Sequence, residues 1–131
     1  MIKLIENKLY LFDIDEKTII NSFEPFCKIE EFKKVKENCI IVREEYFNED
    51  INNHSNIYCL DNNLNIIWFA KSPFRNETFV NPIRWDLEFY EIKTGIAYRK
   101  NENTFVCSTW GSVTVNIDYL TGKILKKMLT K

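Results

Sequence analysis

An all-β architecture of antiparallel repeats follows from three features of this 131-residue chain. One short pattern is written three times: Leu9-Tyr10-Leu11-Phe12-Asp13 ahead of Thr18-Ile19-Ile20, Ile57-Tyr58-Cys59-Leu60-Asp61 ahead of Ile66-Ile67-Trp68, and Thr114-Val115-Asn116-Ile117-Asp118 ahead of Lys123-Ile124-Leu125. In each copy seven positions separate the Asp from the last apolar residue of the second run. Each reads as a β-hairpin whose turn Asp accepts hydrogen bonds from the turn's own N–H groups. The copies recur at roughly 45 to 60 residues, a period that marks repeat arrays. Finally, a polar turn and apolar strand precede two of them, with Lys36-Glu37-Asn38-Cys39-Ile40-Ile41-Val42 resembling Asn101-Glu102-Asn103-Thr104-Phe105-Val106-Cys107.

The elements follow in order. Ile2 to Ile5 forms an extra edge strand, and residues 8–13 and 18–23 form the first hairpin. The next unit is a four-stranded meander of 29–35, 39–47, 56–61 and 65–70; the last is 87–98, 104–110, 113–118 and 123–129. Lys28 to Lys36 places Ile29, Phe32 and Val35 at helical spacings, but the aligned segment 87–98 carries β-formers and Gly95, so the strand reading is preferred. The whole is a single domain, residues 1–131, with a half blade at 1–24 and blades at 25–72 and 84–131. Four-stranded antiparallel units in tandem are the blades of a β-propeller, which closes with about four to eight of them; about two and a half leave it open and partial. The lysines of Lys123 to Lys131 blunt the last strand's free edge.

The hairpins resemble half-blades of pyrroloquinoline-quinone-type propeller repeats, in which Tyr-x-Leu-Asp, a turn and then an aromatic recur. Tyr58-Cys59-Leu60-Asp61 with Trp68, and Asp118 with Thr121-Gly122-Lys123, carry that resemblance. It implies a fold and says nothing about a cofactor.

Composition excludes several functions. Apolar residues make up 45% of the chain, enough for one real core and too short a chain for two. The net charge of −1 and pI near 5.9 give no electrostatic footprint for nucleic acid. No stretch has the length of a signal-peptide core or a membrane span, so a cytoplasmic location away from membranes is expected. Cys27, Cys39, Cys59 and Cys107 show no Cys-x-x-Cys spacing and read as free thiols; no metal or other cofactor is expected. The one histidine, His54, stands in a polar loop near Glu49 and Asp50, and no phosphate loop, nucleophile elbow or metal-ligand helix occurs. The chain reads as a binding protein with no catalytic residues.

Connectivity then singles out one face. In a meander, the links between second and third strands and between blades emerge together, and here these are the long segments 48–55 and 71–86, joined by 22–27 and Trp110-Gly111-Ser112. Long loops gathered on a rigid scaffold are where binding resides. The candidate partner-binding residues are Glu44, Glu45, Tyr46, Phe47, Glu49 and Asp50 from one segment, and Phe74, Arg75, Glu77, Arg84, Trp85 and Asp86 from the other, with Trp110 beside them. Phe79 also lies in the second segment, and an inward-facing role as a core plug is the alternative for Phe79, Phe74 and Trp85. Aromatics and Arg set among carboxylates are interface anchors and steering charges.

In size, repeat type and Asn/Lys/Ile-rich composition the chain resembles the immunity proteins of bacterial toxin–immunity systems, including contact-dependent growth inhibition. That resemblance implies a cognate toxin as partner, of the basic nuclease kind, blocked sterically and by carboxylates seated in its phosphate groove. Two other readings stay open. One is a carbohydrate or small-ligand module using Trp85 and Trp110; the other is a structural half-propeller that closes as a homo-oligomer. The toxin's identity and chemistry are not legible in the sequence.

Overall fold

A computed structural model describes residues 1–46, 54–73 and 77–129. These contain twelve antiparallel strands and no helix. The first sheet is β1 (Ile2–Ile5), β2 (Lys8–Phe12) and β3 (Ile19–Phe23). The second is β4 (Ile29–Lys36), β5 (Cys39–Glu44), β6 (His54–Leu60) and β7 (Ile66–Lys71). Next come the hairpin β8 (Leu87–Ile92) and β9 (Gly95–Lys100), then the third sheet, β10 (Thr104–Ser108), β11 (Val113–Asp118) and β12 (Ile124–Leu129). The helical spacing of Ile29, Phe32 and Val35 is overridden: β4 is an eight-residue strand paired with β5 along its length.

The three repeated hairpins share their turn chemistry. Asp13 Oδ1 accepts the N–H groups of Lys17 (3.0 Å) and Thr18 (3.3 Å), and Asp61 Oδ1 those of Asn63 and Asn65, both at 2.9 Å. Asp118 Oδ1 accepts Leu120 N–H at 2.7 Å. Each hairpin also carries a register shift just before the Asp, at Leu11/Phe12, Cys59/Leu60 and Asn116/Ile117. Such bulges bend and twist a strand pair, and one recurs at the same place in all three hairpins.

The sheets stack face to face, and the second is the central layer. Alternate residues of β5 and β6 point to opposite faces. Cys39, Ile41, Ile57 and Cys59 pack with Phe105, Val115 and Ile117 of the third sheet. Ile40, Val42, Tyr58 and Leu60 pack with Leu9, Leu11 and Phe23 of the first. A strand buried on both faces has no polar alternation, which explains the unbroken apolar runs Cys39–Val42 and Ile57–Leu60.

Two features depart from the sequence reading. Residues 87–98 form no single strand: the chain turns at Lys93-Thr94, and Gly95 (φ 136°) starts the returning β9 in a backbone region open to glycine. The second departure is the segment 77–86, which is no free loop. Arg84 N–H bonds Val106 C=O at 2.9 Å and Val106 N–H bonds Arg84 C=O at 3.0 Å, so this strap lies along β10 as an irregular fourth member of the third sheet. The β8–β9 hairpin then covers that sheet's other face, where Asn116 Oδ1 accepts Phe89 N–H at 2.7 Å and Thr104 Oγ1 donates to Leu87 C=O at 2.7 Å.

Candidate functional site

The strap is held from below by the central sheet. The Asn56 side chain imitates a strand neighbour: its Nδ2 donates to Phe79 C=O at 2.8 Å and its Oδ1 accepts Phe79 N–H at 2.9 Å. Glu31 Oε2 accepts Arg43 Nε–H at 2.6 Å and Ile83 N–H at 3.0 Å, so one partly buried ion pair fixes the far end. Phe79 is fully buried and Ile83 nearly so, in the core between the second and third sheets. Of the two roles open to Phe79, the inward one is observed.

Above the strap the β10–β11 turn is built to project one side chain. Thr109 N–H bonds Val113 C=O at 3.0 Å and Thr109 Oγ1 accepts Val113 N–H at 3.2 Å, closing the turn. Glu77 braces it from the strap, its Oε2 accepting the Thr109 hydroxyl at 2.6 Å. A β-carbon at Gly111 would meet the Glu77 carboxylate, so any side chain there displaces the brace from its present position. Trp110 is left at the tip, 84% exposed.

Beside it runs a groove of about 370 Å³ between strap, turn and β9. Arg84 forms one wall, donating to the Tyr98 hydroxyl with its guanidinium carbon 4.7 Å from that ring's centroid. Ser108, Thr109, Thr114 and Asn81 also line it, with the Ser108 and Thr114 hydroxyls bonded to each other at 2.9 Å. Among the described residues Arg84 has no carboxylate partner. A large exposed aromatic and a stacked guanidinium can bind; no general base or nucleophile pair is among the lining residues.

The expected site residues scatter around this groove. Arg84 and Trp110 line it, and Glu77 supports it. Glu44 is corrected: it is wholly buried, its carboxyl group accepting Phe26 N–H (3.2 Å), Cys27 N–H (2.6 Å) and the Tyr58 hydroxyl, so it anchors the β3–β4 link and meets no partner. It alternates out of sight because β5 is buried on both faces. Glu45 and Tyr46 are exposed beside Cys27, apart from the groove's lining. Trp85 is half-buried on the core, its ring 6.4 Å from Phe105 and under Lys33 Nζ at 5.4 Å. Asp86 Oδ1 accepts the Tyr119 hydroxyl at 3.1 Å. That carboxylate and above all burial push the Tyr119 phenol up from its ordinary pKa of 10.0. Phe47, Glu49, Asp50, Phe74 and Arg75 lie outside the described residues. Tyr98 and Asn81 were missed; the Lys93-Thr94-Gly95 turn was the signal that would have returned Tyr98 to the strap.

The fold and groove together define an all-β chain of stacked antiparallel sheets with one aromatic, hydroxyl-rich recess. No family model matches the chain, and no curated protein matches it.

Proposed function

We propose that this chain is a non-catalytic binding protein of the immunity type, which docks a cognate bacterial toxin through the Trp110 groove and blocks its active site. The observation that carries the reading is Trp110 itself, 84% exposed on a braced turn beside Arg84 and Tyr98. Trp, Tyr and Arg are the residue types that dominate binding hot spots, and a preorganised wall spares the ordering cost of association. The described groove offers a guanidinium to the partner, so the toxin's docking segment presents a carboxylate or carbonyl there. Steering of a basic nuclease by carboxylates then falls to Glu45, Glu49 and Asp50. The stacked sheets, and the bulge that each repeated hairpin carries beside its Asp, support reading the scaffold as successive blades of an open partial β-propeller.

The test is binding kinetics against the product of the adjacent reading frame. Trp110→Ala should raise the off-rate by an amount worth about 2 kcal/mol, as a central anchor does. Since Trp110 is 84% exposed, the variant should fold as wild type. Unchanged kinetics with a verified partner would remove the groove from the interface. The hydroxyl lining favours a second reading, a carbohydrate stacked on Trp110; quenching of Trp110 fluorescence by a soluble oligosaccharide, lost in Trp110→Ala, would select it.

A further inference from the structure

We propose that a second groove, between the outer strands β7 and β12, is a binding site for a small amphiphilic anion, with an apolar body and a carboxylate or sulfonate head. It shares no lining residue with the Trp110 groove and does not rest on the toxin-binding reading. Its volume is about 500 Å³, inside the range of roughly 300–1,000 Å³ usual for small-molecule sites. Phe69, Gly122 and Ile124 make an apolar floor, and Lys71 and Lys123 stand on opposite walls.

The walls are fixed before any ligand arrives. Trp68 Nε1 donates to the Tyr119 carbonyl at 3.1 Å, and the following turn is drawn so close that a β-carbon at Gly122 would lie 2.4 Å from the indole. The floor is held as well: Phe69 is wedged among Tyr58, Phe26 and His54, with its ring stacked on the imidazole at 4.3 Å. A cleft whose walls cannot close over its apolar floor stays open to a ligand.

Charge selects the ligand. Other lysines of this region are engaged, Lys126 with Glu88 at 3.5 Å and Lys127 with the Pro73 carbonyl at 3.2 Å. Lys71 and Lys123 are exposed and have no carboxylate partner among the described residues. His54 is the cross-strand neighbour of Lys71, and its enclosed Nδ1 has no hydrogen-bond partner among the described residues. Two ammonium groups without a carboxylate partner among the described residues, flanking an apolar floor, attract a head of negative charge and shelter the hydrocarbon or aromatic body behind it.

The test uses 8-anilinonaphthalene-1-sulfonate as the probe, titrated into the native chain. Saturable fluorescence enhancement at one equivalent is expected, with laurate competing. The double variant Lys71→Glu, Lys123→Glu should bind about tenfold or more weakly, since attraction becomes repulsion at both walls. Both positions are exposed, and an unchanged circular dichroism spectrum and urea midpoint will show that the fold is kept. Trp110→Ala should leave the titration unaltered. The proposal is overturned if no saturable binding occurs, if the double variant binds the probe as tightly as wild type, or if neutral N-phenyl-1-naphthylamine binds as tightly as the sulfonate.

Discussion

Glu44 shows how a single side chain can look like surface in a sequence and act as a core fastener. Its carboxyl group gathers two backbone N–H groups and the Tyr58 hydroxyl, and so ties the link after β3 to the central sheet. Tyr58→Phe leaves that buried acceptor one donor short, and it should cost about 1–3 kcal/mol in urea denaturation. A change within experimental error would show the hydroxyl to be dispensable. The same burial sets the response to alkali. Burial and Glu44 raise the Tyr58 phenol, burial raises the Cys107 thiol, and the hydrogen bond given to Cys39 together with burial raises the Cys59 thiol. The folded chain therefore holds protons that the unfolded chain releases, so this contribution is complete below the ordinary thiol value of 9.0 and shrinks as pH rises past it. Thermal midpoints should fall progressively above about pH 9. At the acid end the sign reverses for Asp13 and Asp61: backbone N–H groups of Thr18 and Asn65, first among several, lower both carboxyls, and what they contribute is lost as pH falls below the ordinary value of 3.8.

The hairpins were legible in the sequence because each writes its whole instruction locally: an apolar run, an Asp that caps its own turn, and a second apolar run. Gly122 tests how strictly that turn is specified in the third copy. Its φ of 72° disfavours a side chain and the Trp68 indole leaves no room for one, so Gly122→Ala should destabilise by about 1–3 kcal/mol by chemical denaturation. A neutral result would mean that the turn can move off the indole. Other elements were illegible for reasons equally physical. The β8–β9 turn at Lys93-Thr94 lacks the Asn-Gly or Asp-Gly dipeptide that announces a tight hairpin, so an apolar and charged mixture read as one strand. The strap owes its course to Asn56, Arg43 and Glu31, side chains that recognise backbone from a different sheet. No local pattern encodes such a meeting. The groove inherited both failures: Arg84 and Trp110 were found by residue type, while Tyr98 and Asn81 waited on the strap and the hairpin being placed.

Across the molecule, layering decides which groups meet solvent. Cys39, Cys59 and Cys107 all lie in the core between the second and third sheets, whereas Cys27 is half-buried on the β3–β4 link. Native protein should therefore yield one thiol to a reagent such as 5,5′-dithiobis(2-nitrobenzoate) slowly, and the other three only at the rate of unfolding. Prompt reaction of all four would mean that the two sheets separate readily. The strap has a further consequence, for the order in which the chain is made. Residues 77–86 leave the ribosome before β10, their ladder partner, and the entire β8–β9 hairpin is synthesised in between. Synthesis adds about 5–20 residues each second, so Phe79 and Ile83 spend on the order of seconds without the third sheet that will cover them. A chain that has folded its first two sheets in that interval would carry Phe79 and Ile83 as an uncovered apolar ribbon until β10 to β12 follow.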